Sequence, residues 1–242
     1  NGSTDDTSKI INKFKNYGNI FIIENVKVVP RTRALNQLIS KLSKEYQFFT
    51  NVDGDDLLEK DWLIHAYNFM KKYSDISAVS GQFLLINSQD KIYKKSDIPT
   101  YPHTLNKYFS FTFPIVHSGL IIRFDHIQNK KVYNEKLTFG QDWDLCINLA
   151  KKGKIVSIDK LSIYFRHHND SLTKNVSNQL QSRYDKLYNL RSGKDLANDF
   201  YCKIQNKNRE GSELFAIAYL NFRKNNFIIS IKYFLLGSIT FP

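Results

Sequence analysis

Three acids fall within four residues in "NVDGDD" (Asp53, Asp55 and Asp56), directly after the aromatic and β-branched run "YQFFT". In an extended chain residues two apart point to the same side, so Asp53 and Asp55 can aim together, and Gly54 between them lets a ligand approach the backbone closely. Two hard carboxylates suit Mg²⁺ or Mn²⁺, which keep one or two protein ligands and fill the rest of their shell with water and phosphate oxygens. An EF-hand is excluded: Leu58 and Ile64 stand where that loop needs Gly and Glu. The competing reading is an acidic turn in which Asp56 or Asp61 caps the next helix. Arg31 and Arg33 precede the acidic run, and a guanidinium matches phosphate oxygens bidentately. An Arg at a helix start is, however, more often simply solvated.

A second acidic pair, Asp142 and Asp144, lies in "FGQDWDL". Two residues on a helix are roughly 200° apart, so both cannot face one cleft, and one of them is expected to be a solvent-facing or capping acid. His167 and His168 end the strand-like "SIYFRHH". Without Cys or His partners at zinc spacing they form no structural zinc site.

The elements that would carry these residues alternate. A helix over about 7–17 precedes a short strand "NIFIIE", and a helix over 32–43 leads into a strand over 46–52. "EKDWLIHAYNFMKKYSD" has a helical apolar face, and a strand pair follows in "AVSGQFLLI" and "KIYK". Then come a strand in "SGLIIRF", a helix in "QDWDLCINLAKKG" ended by Gly153, and two strands in "KIVSI" and "LSIYFRH". The order predicts an α/β fold with a mostly parallel mixed sheet flanked by helices. In such sheets ligands bind at the carboxyl ends of strands, which is where the acidic run sits. From about Asn178 the pattern is all-helical.

With 242 residues the chain is long enough for one large domain, and its 42% hydrophobic and 24% charged residues exclude a disordered class. The net charge of +12 points to a polyanionic partner or to a solvated basic surface. A nucleic-acid partner is not expected, since no recognisable module accompanies the charge. Cys146 and Cys202 make no disulfide framework, which favours a reducing, cytoplasmic setting. No apolar run reaches the ~20 residues needed to span a bilayer. In the C-terminal segment, Phe215, Tyr219 and Phe222, then Phe227, Ile231 and Phe234, suit two helices packed as a hairpin across "RKNN". The same residues also suit an amphipathic surface in peripheral contact with an anionic membrane, beside Lys224 and Lys232.

"NGSTDDT", "RALNQLISKLSKEYQFFTNVDGDD", "FGQDWDLCINLAKKG" and "YFRHHNDSLT" occur in this order. Together they make the stretch from Asn1 to Thr173 resemble the family 2 glycosyltransferases, which have the GT-A fold. The resemblance implies a catalytic domain over 1–176, with a helical region over 177–242. It also implies a strand, a helix and a second strand ahead of Asn1. The implied reaction is metal-dependent, inverting transfer from a nucleotide sugar, with a UDP-sugar expected, to a glycan or lipid-linked hydroxyl acceptor. Bacterial surface glycan synthesis is the expected setting, on the inner face of the membrane. Acceptors on protein or a teichoic-type polymer, or a non-catalytic sugar-binding module, are the alternatives.

By the same resemblance, Asp53, Gly54 and Asp55 meet the metal and diphosphate, His168 approaches that group, and Asp142 is the general base. Asn1 stands where the family often has an Asp touching the base or ribose, and Gln141 replaces the usual Glu beside the base.

Overall fold

The structure, a computed structural model, describes residues 1–42, 46–110, 113–127, 132–137, 140–168, six helical positions between 177 and 187, and 200–240. The elements run α1 (Thr7–Asn12), α2 (Arg31–Lys41), β1 (Phe48–Thr50), β2 (Leu57–Leu58), α3 (Trp62–Lys72), β3 (Ile76–Ile86) and β4 (Ile92–Lys95). They continue with β5 (Ile121–Arg123), α4 (Gln141–Ala150), β6 (Lys154–Arg166), α5 (Phe200–Arg223) and α6 (Phe227–Thr240). The expected boundary at 176/177 and the end of the "HHNDSLT" motif lie outside the described residues.

One six-stranded sheet has the order β1-β5-β3-β6-β2, with β4 hydrogen-bonded to β3. Its three central strands, β5, β3 and β6, each feed both faces. Ala78, Ile122 and Ile155 enter a core with Leu105, Phe109, Trp143 and Leu149. Their chain neighbours Val79, Ile121 and Val156 enter a second core with Trp62, Ala66 and Met70. This is the period of two of a pleated strand. Helix α3 covers the second face through Trp62, Ala66 and Met70, spaced four apart; helix α4 covers the first.

The sheet is mixed, as expected, but less parallel than the chain order implied. Only β3 and β6 pair in parallel; the β1–β5, β2–β6, β3–β4 and β3–β5 pairings are antiparallel. Parallel neighbours need a crossover, usually a helix. Among the described residues the connection from Ser96 to Leu120 has no α-helix, and β5 enters antiparallel.

"NIFIIE" forms no strand: Ile20 and Phe21 are exposed, and among the described residues none pairs with this segment. "KIVSI" and "LSIYFRH" are one 13-residue strand, not two. The exposed Asp159 and Lys160 sit in a register shift of β6 rather than a turn. Gly81 of β3 faces this bulge, where a Cβ would collide with the Lys160 carbonyl and lie 2.9 Å from the Trp62 ring. The first helix stops at Asn12, short of the expected Tyr17.

Helices α5 and α6 form the expected hairpin, turning at Lys224–Asn226, with the Phe215–Phe234 and Phe222–Phe227 rings 5.6 and 5.5 Å apart. Tyr219 and Ile231, read as hairpin residues, point outward instead, 61% and 60% exposed. Among the described residues no helix is long and apolar enough to cross a membrane.

Candidate active site

Strand β1 ends at Thr50, and the chain from Asn51 to Asp56 is held by a second segment, 117–119. Gly119 N–H donates to Asn51 O at 2.8 Å, and Asp53 N–H donates to the Ser118 hydroxyl at 3.0 Å. Turning the loop back brings Asp53, Asp55 and Asp56 together, so that one carboxylate oxygen from each lies within 4.8 Å of the others. Asp55 is exposed, Asp53 half-buried and Asp56 buried. Asp56 is therefore not a helix cap. Its Oδ1 accepts the Arg166 N–H at 2.9 Å, and among the described residues no donor reaches the buried Oδ2 with good hydrogen-bond geometry. Burial pushes this carboxyl up, and the charges of Asp55 and Asp53 push the same way, against the Arg166 N–H and the Ser118 hydroxyl. Three crowded carboxylates with an orphaned buried oxygen fit a hard divalent cation.

Two cations frame the cluster. Arg31, the first residue of α2, places Nη2 2.6 and 2.7 Å from the two oxygens of Asp53. Burial opposes the charge of Asp53, but the Arg31 guanidinium outweighs it and holds the carboxyl below the usual range. Arg166, at the end of β6, pins the loop by donating from Nε to Asp55 O at 2.8 Å and from Nη1 to Asn87 O at 2.9 Å. Two residues later His168 Nε2 lies 3.3 Å from Asp55 Oδ2. Its neighbour His167 turns to the Tyr93 hydroxyl at 2.7 Å. A Cβ on Gly54 would meet nothing within 4 Å, so the loop is open there.

Asp142 arrives from the other side. Gly140, at φ 72°, takes the left-handed conformation that starts α4, a position that favours glycine. It sets Asp142 in the first turn, half-buried, accepting the Trp143 N–H at 2.8 Å. The charge of Asp142 is close enough to act on both Arg31 and His117. Asp144 turns inward and is 6% exposed. The pair thus does split around the helix, but the second acid is buried rather than solvent-facing. Gln141 is the first residue of α4, half-buried beside Asp142.

Two of the residues singled out in the sequence lie apart from this constellation. Asn1 Nδ2 donates to Val29 O, and its Oδ1 accepts the Val29 N–H, both at 3.0 Å. A nucleotide would have to displace that pairing. Arg33 is exposed and, two positions on from Arg31, points about 200° away from it around α2.

His117 escaped the sequence reading. It is 7% exposed, with Nε2 2.8 Å from the Tyr133 hydroxyl and Nδ1 3.4 Å from Asn51 Nδ2. Asn51 Nδ2 also donates to Asp53 Oδ1 at 2.8 Å. The amide is a donor, so the network assigns Nδ1 as acceptor and Nε2 as the protonated nitrogen. Burial pushes the imidazole's pKa down, although Asp142 and Asp53 pull it up. Asn36 in turn grips the backbone of Tyr133, donating to its carbonyl and accepting its N–H, both at 2.9 Å. A buried chain thus runs from α2 through Tyr133, His117 and Asn51 to Asp53. A lone His before a strand offered no periodicity or spacing from which to infer it.

A comparison with curated proteins finds no match. The family model described as Glycosyl transferase family 2 matches residues 1–130, which hold Arg31, the acidic loop and His117 and end before Asp142 and His168. The curled mixed sheet flanked by helices is consistent with the GT-A type. With more than half of its 242 residues matched, and a carboxylate cluster at the end of a sheet strand, the chain belongs to glycosyl transferase family 2 and is a glycosyltransferase.

Proposed function

We propose that the chain moves a sugar, with inversion, from a uridine diphosphate sugar to a hydroxyl of a bacterial surface glycan acceptor, as in capsule or lipopolysaccharide synthesis. The observation that carries this reading is the convergence of three carboxylates within 4.8 Å with a guanidinium seated on Asp53. Asp53 and Asp55 would hold Mn²⁺ or Mg²⁺, with the orphaned Asp56 oxygen behind them and His168 at the exposed rim. When bound, such a cation stabilises the negative charge of the departing diphosphate, so no protonating acid is required.

The chain's own groups do the rest. Arg31 pairs with phosphate oxygens in exchange for Asp53, the geometry for which a guanidinium is suited. Asp142 accepts the proton of the acceptor hydroxyl as that oxygen attacks the anomeric carbon opposite the diphosphate. In this reading Asn1 meets the donor only by releasing Val29, and Arg33 makes no donor contact. Residues 1–176 form the catalytic domain and 177–242 its helical extension.

The test is transfer from a panel of UDP-sugars with Mn²⁺, comparing Asp142→Asn with the parent. General-base assistance is worth ~10²–10⁴ in rate, so transfer should fall at least a hundredfold while Mn²⁺-dependent UDP binding persists. Near-normal transfer by Asp142→Asn overturns the assignment of the base. Transfer that survives excess chelator overturns the role of the metal.

A further inference from the structure

We propose that the outward face of α6, together with the α5–α6 turn, is a docking surface for an anionic lipid bilayer. The helix inverts the usual arrangement. Its inward side carries Ser230, whose hydroxyl donates to Ala218 O at 2.8 Å, and Gly237, which lies against the Phe215 ring. Only Tyr233 and Leu236 join the apolar cluster of Leu214, Ile217 and Leu220. The outward side carries Phe227, Ile228, Ile231, Phe234, Leu235 and Ile239, each between 52% and 87% exposed. At 100° per residue these six fall in a stripe about 140° wide, with the less exposed Ile229, at 42%, outside it. Tyr219 and Phe222 of α5, 61% and 57% exposed, extend the same apolar surface.

Charge identifies the occupant. From Phe215 to Pro242 the chain has Arg223, Lys224 and Lys232 and no acidic residue. All three basic residues are exposed, two at the turn and one at the margin of the stripe. Apolar side chains in the acyl boundary with Lys and Arg among anionic headgroups is the arrangement of an interfacial helix. At 1.5 Å per residue the 14 residues of α6 reach about 21 Å. Its exposed apolar stripe runs along one side, bordered by Lys232, and that one-sided pattern suits a helix lying in the surface plane. A second copy of the chain fits less well, because it would bring together two faces whose only charges are basic.

The surface is fastened next to the proposed base. Glu213 of α5, fully buried, accepts Arg183 Nη1 at 2.9 Å through both oxygens, and the Arg183 guanidinium lies 5.3 Å from the centre of the Trp143 ring. Trp143 follows Asp142, so docking would hold α4 near a membrane-borne acceptor. The docking itself rests on the helix face alone, not on the transfer reaction.

Flotation of the full chain with vesicles tests it, using phosphatidylcholine alone or mixed with phosphatidylglycerol. A basic side chain near an anionic surface is worth about fivefold in partitioning, so three should favour the mixed vesicles by about 10²-fold at low salt. Ile228→Glu with Leu235→Glu should abolish flotation while circular dichroism and the thermal midpoint hold. Ile228→Ser with Leu235→Ser replaces it if the charged pair does not fold. Lys224→Gln with Lys232→Gln should remove most of the preference for the anionic lipid. The proposal is overturned if the parent fails to float, if it partitions equally into both vesicles, or if the apolar-face variants still float. It is also overturned if light scattering shows a dimer that those variants split, which would make a second copy the occupant.

Discussion

Replacing His117 by Gln tests the buried network behind Asp53. Gln keeps one donor and one acceptor but cannot titrate. The imidazole is 7% exposed, and burial holds its pKa below the ordinary histidine value despite Asp142 and Asp53. The unfolded chain therefore binds more protons than the folded one, so this residue's contribution is fully present above about pH 6.5 and is lost as pH falls below it. If the folded form stays neutral throughout, the loss between about pH 7.5 and 5.5 is about 1.4 kcal/mol, or roughly 3–6 °C in Tm for a chain of this size.

Burial lowers the pKa of His126 as well, but that residue is present in both proteins and cancels in the difference. Urea denaturation at the two pH values should show the parent losing more stability than His117→Gln, by up to about 1.4 kcal/mol. His117→Phe, which removes both hydrogen bonds, should cost about 2–3 kcal/mol at neutral pH. A His117→Gln variant that retains the full parental acid sensitivity would refute the neutral, buried assignment.

Asp55→Ala should weaken Mn²⁺-dependent UDP binding by tenfold or more, measured by calorimetry, and Asp56→Asn should lower metal affinity without unfolding the loop, because Asn still offers Oδ1 to the Arg166 N–H. Glu213→Gln leaves Arg183 facing a neutral partner. The Glu213 carboxylate is fully buried but the Arg183 side chain is 28% exposed, so the cost should be about 2–3 kcal/mol, below the full range for a buried pair, with faster hydrogen exchange across α5. Gly81→Ala, pressed against the Lys160 carbonyl, should destabilise by about 1–3 kcal/mol in thermal denaturation.

Much of the fold was legible because its signals are local. The apolar helical face of "EKDWLIHAYNFMKKYSD" marked α3 to within three residues of its observed ends, and the run "AVSGQFLLI" marked β3 to within two. The failures share one cause, that strand formation depends on a partner. "NIFIIE" has strand-like composition but lies exposed with no pairing partner among the described residues, whereas the polar Asp159–Lys160 interruption is carried through by the long parallel pairing of β3 with β6.

At the site, "DGDD" suggested that Asp53 and Asp55 could aim together as in an extended chain. However, β1 ends at Thr50, and a turn, closed by the Asp56 N–H on Asp53 O at 3.2 Å, is what gathers the acids. Two-residue spacing on a helix predicted that Asp142 and Asp144 would diverge. Only the tertiary structure decided that Asp56 joins the cluster, that Arg31 sits on Asp53, and that His117 stands behind both through Asn51. Those contacts link residues 22, 66 and 110 positions apart in the chain. Local periodicity carries no information at that range; the pairing of β1 with β5 and of β3 with β6 creates it.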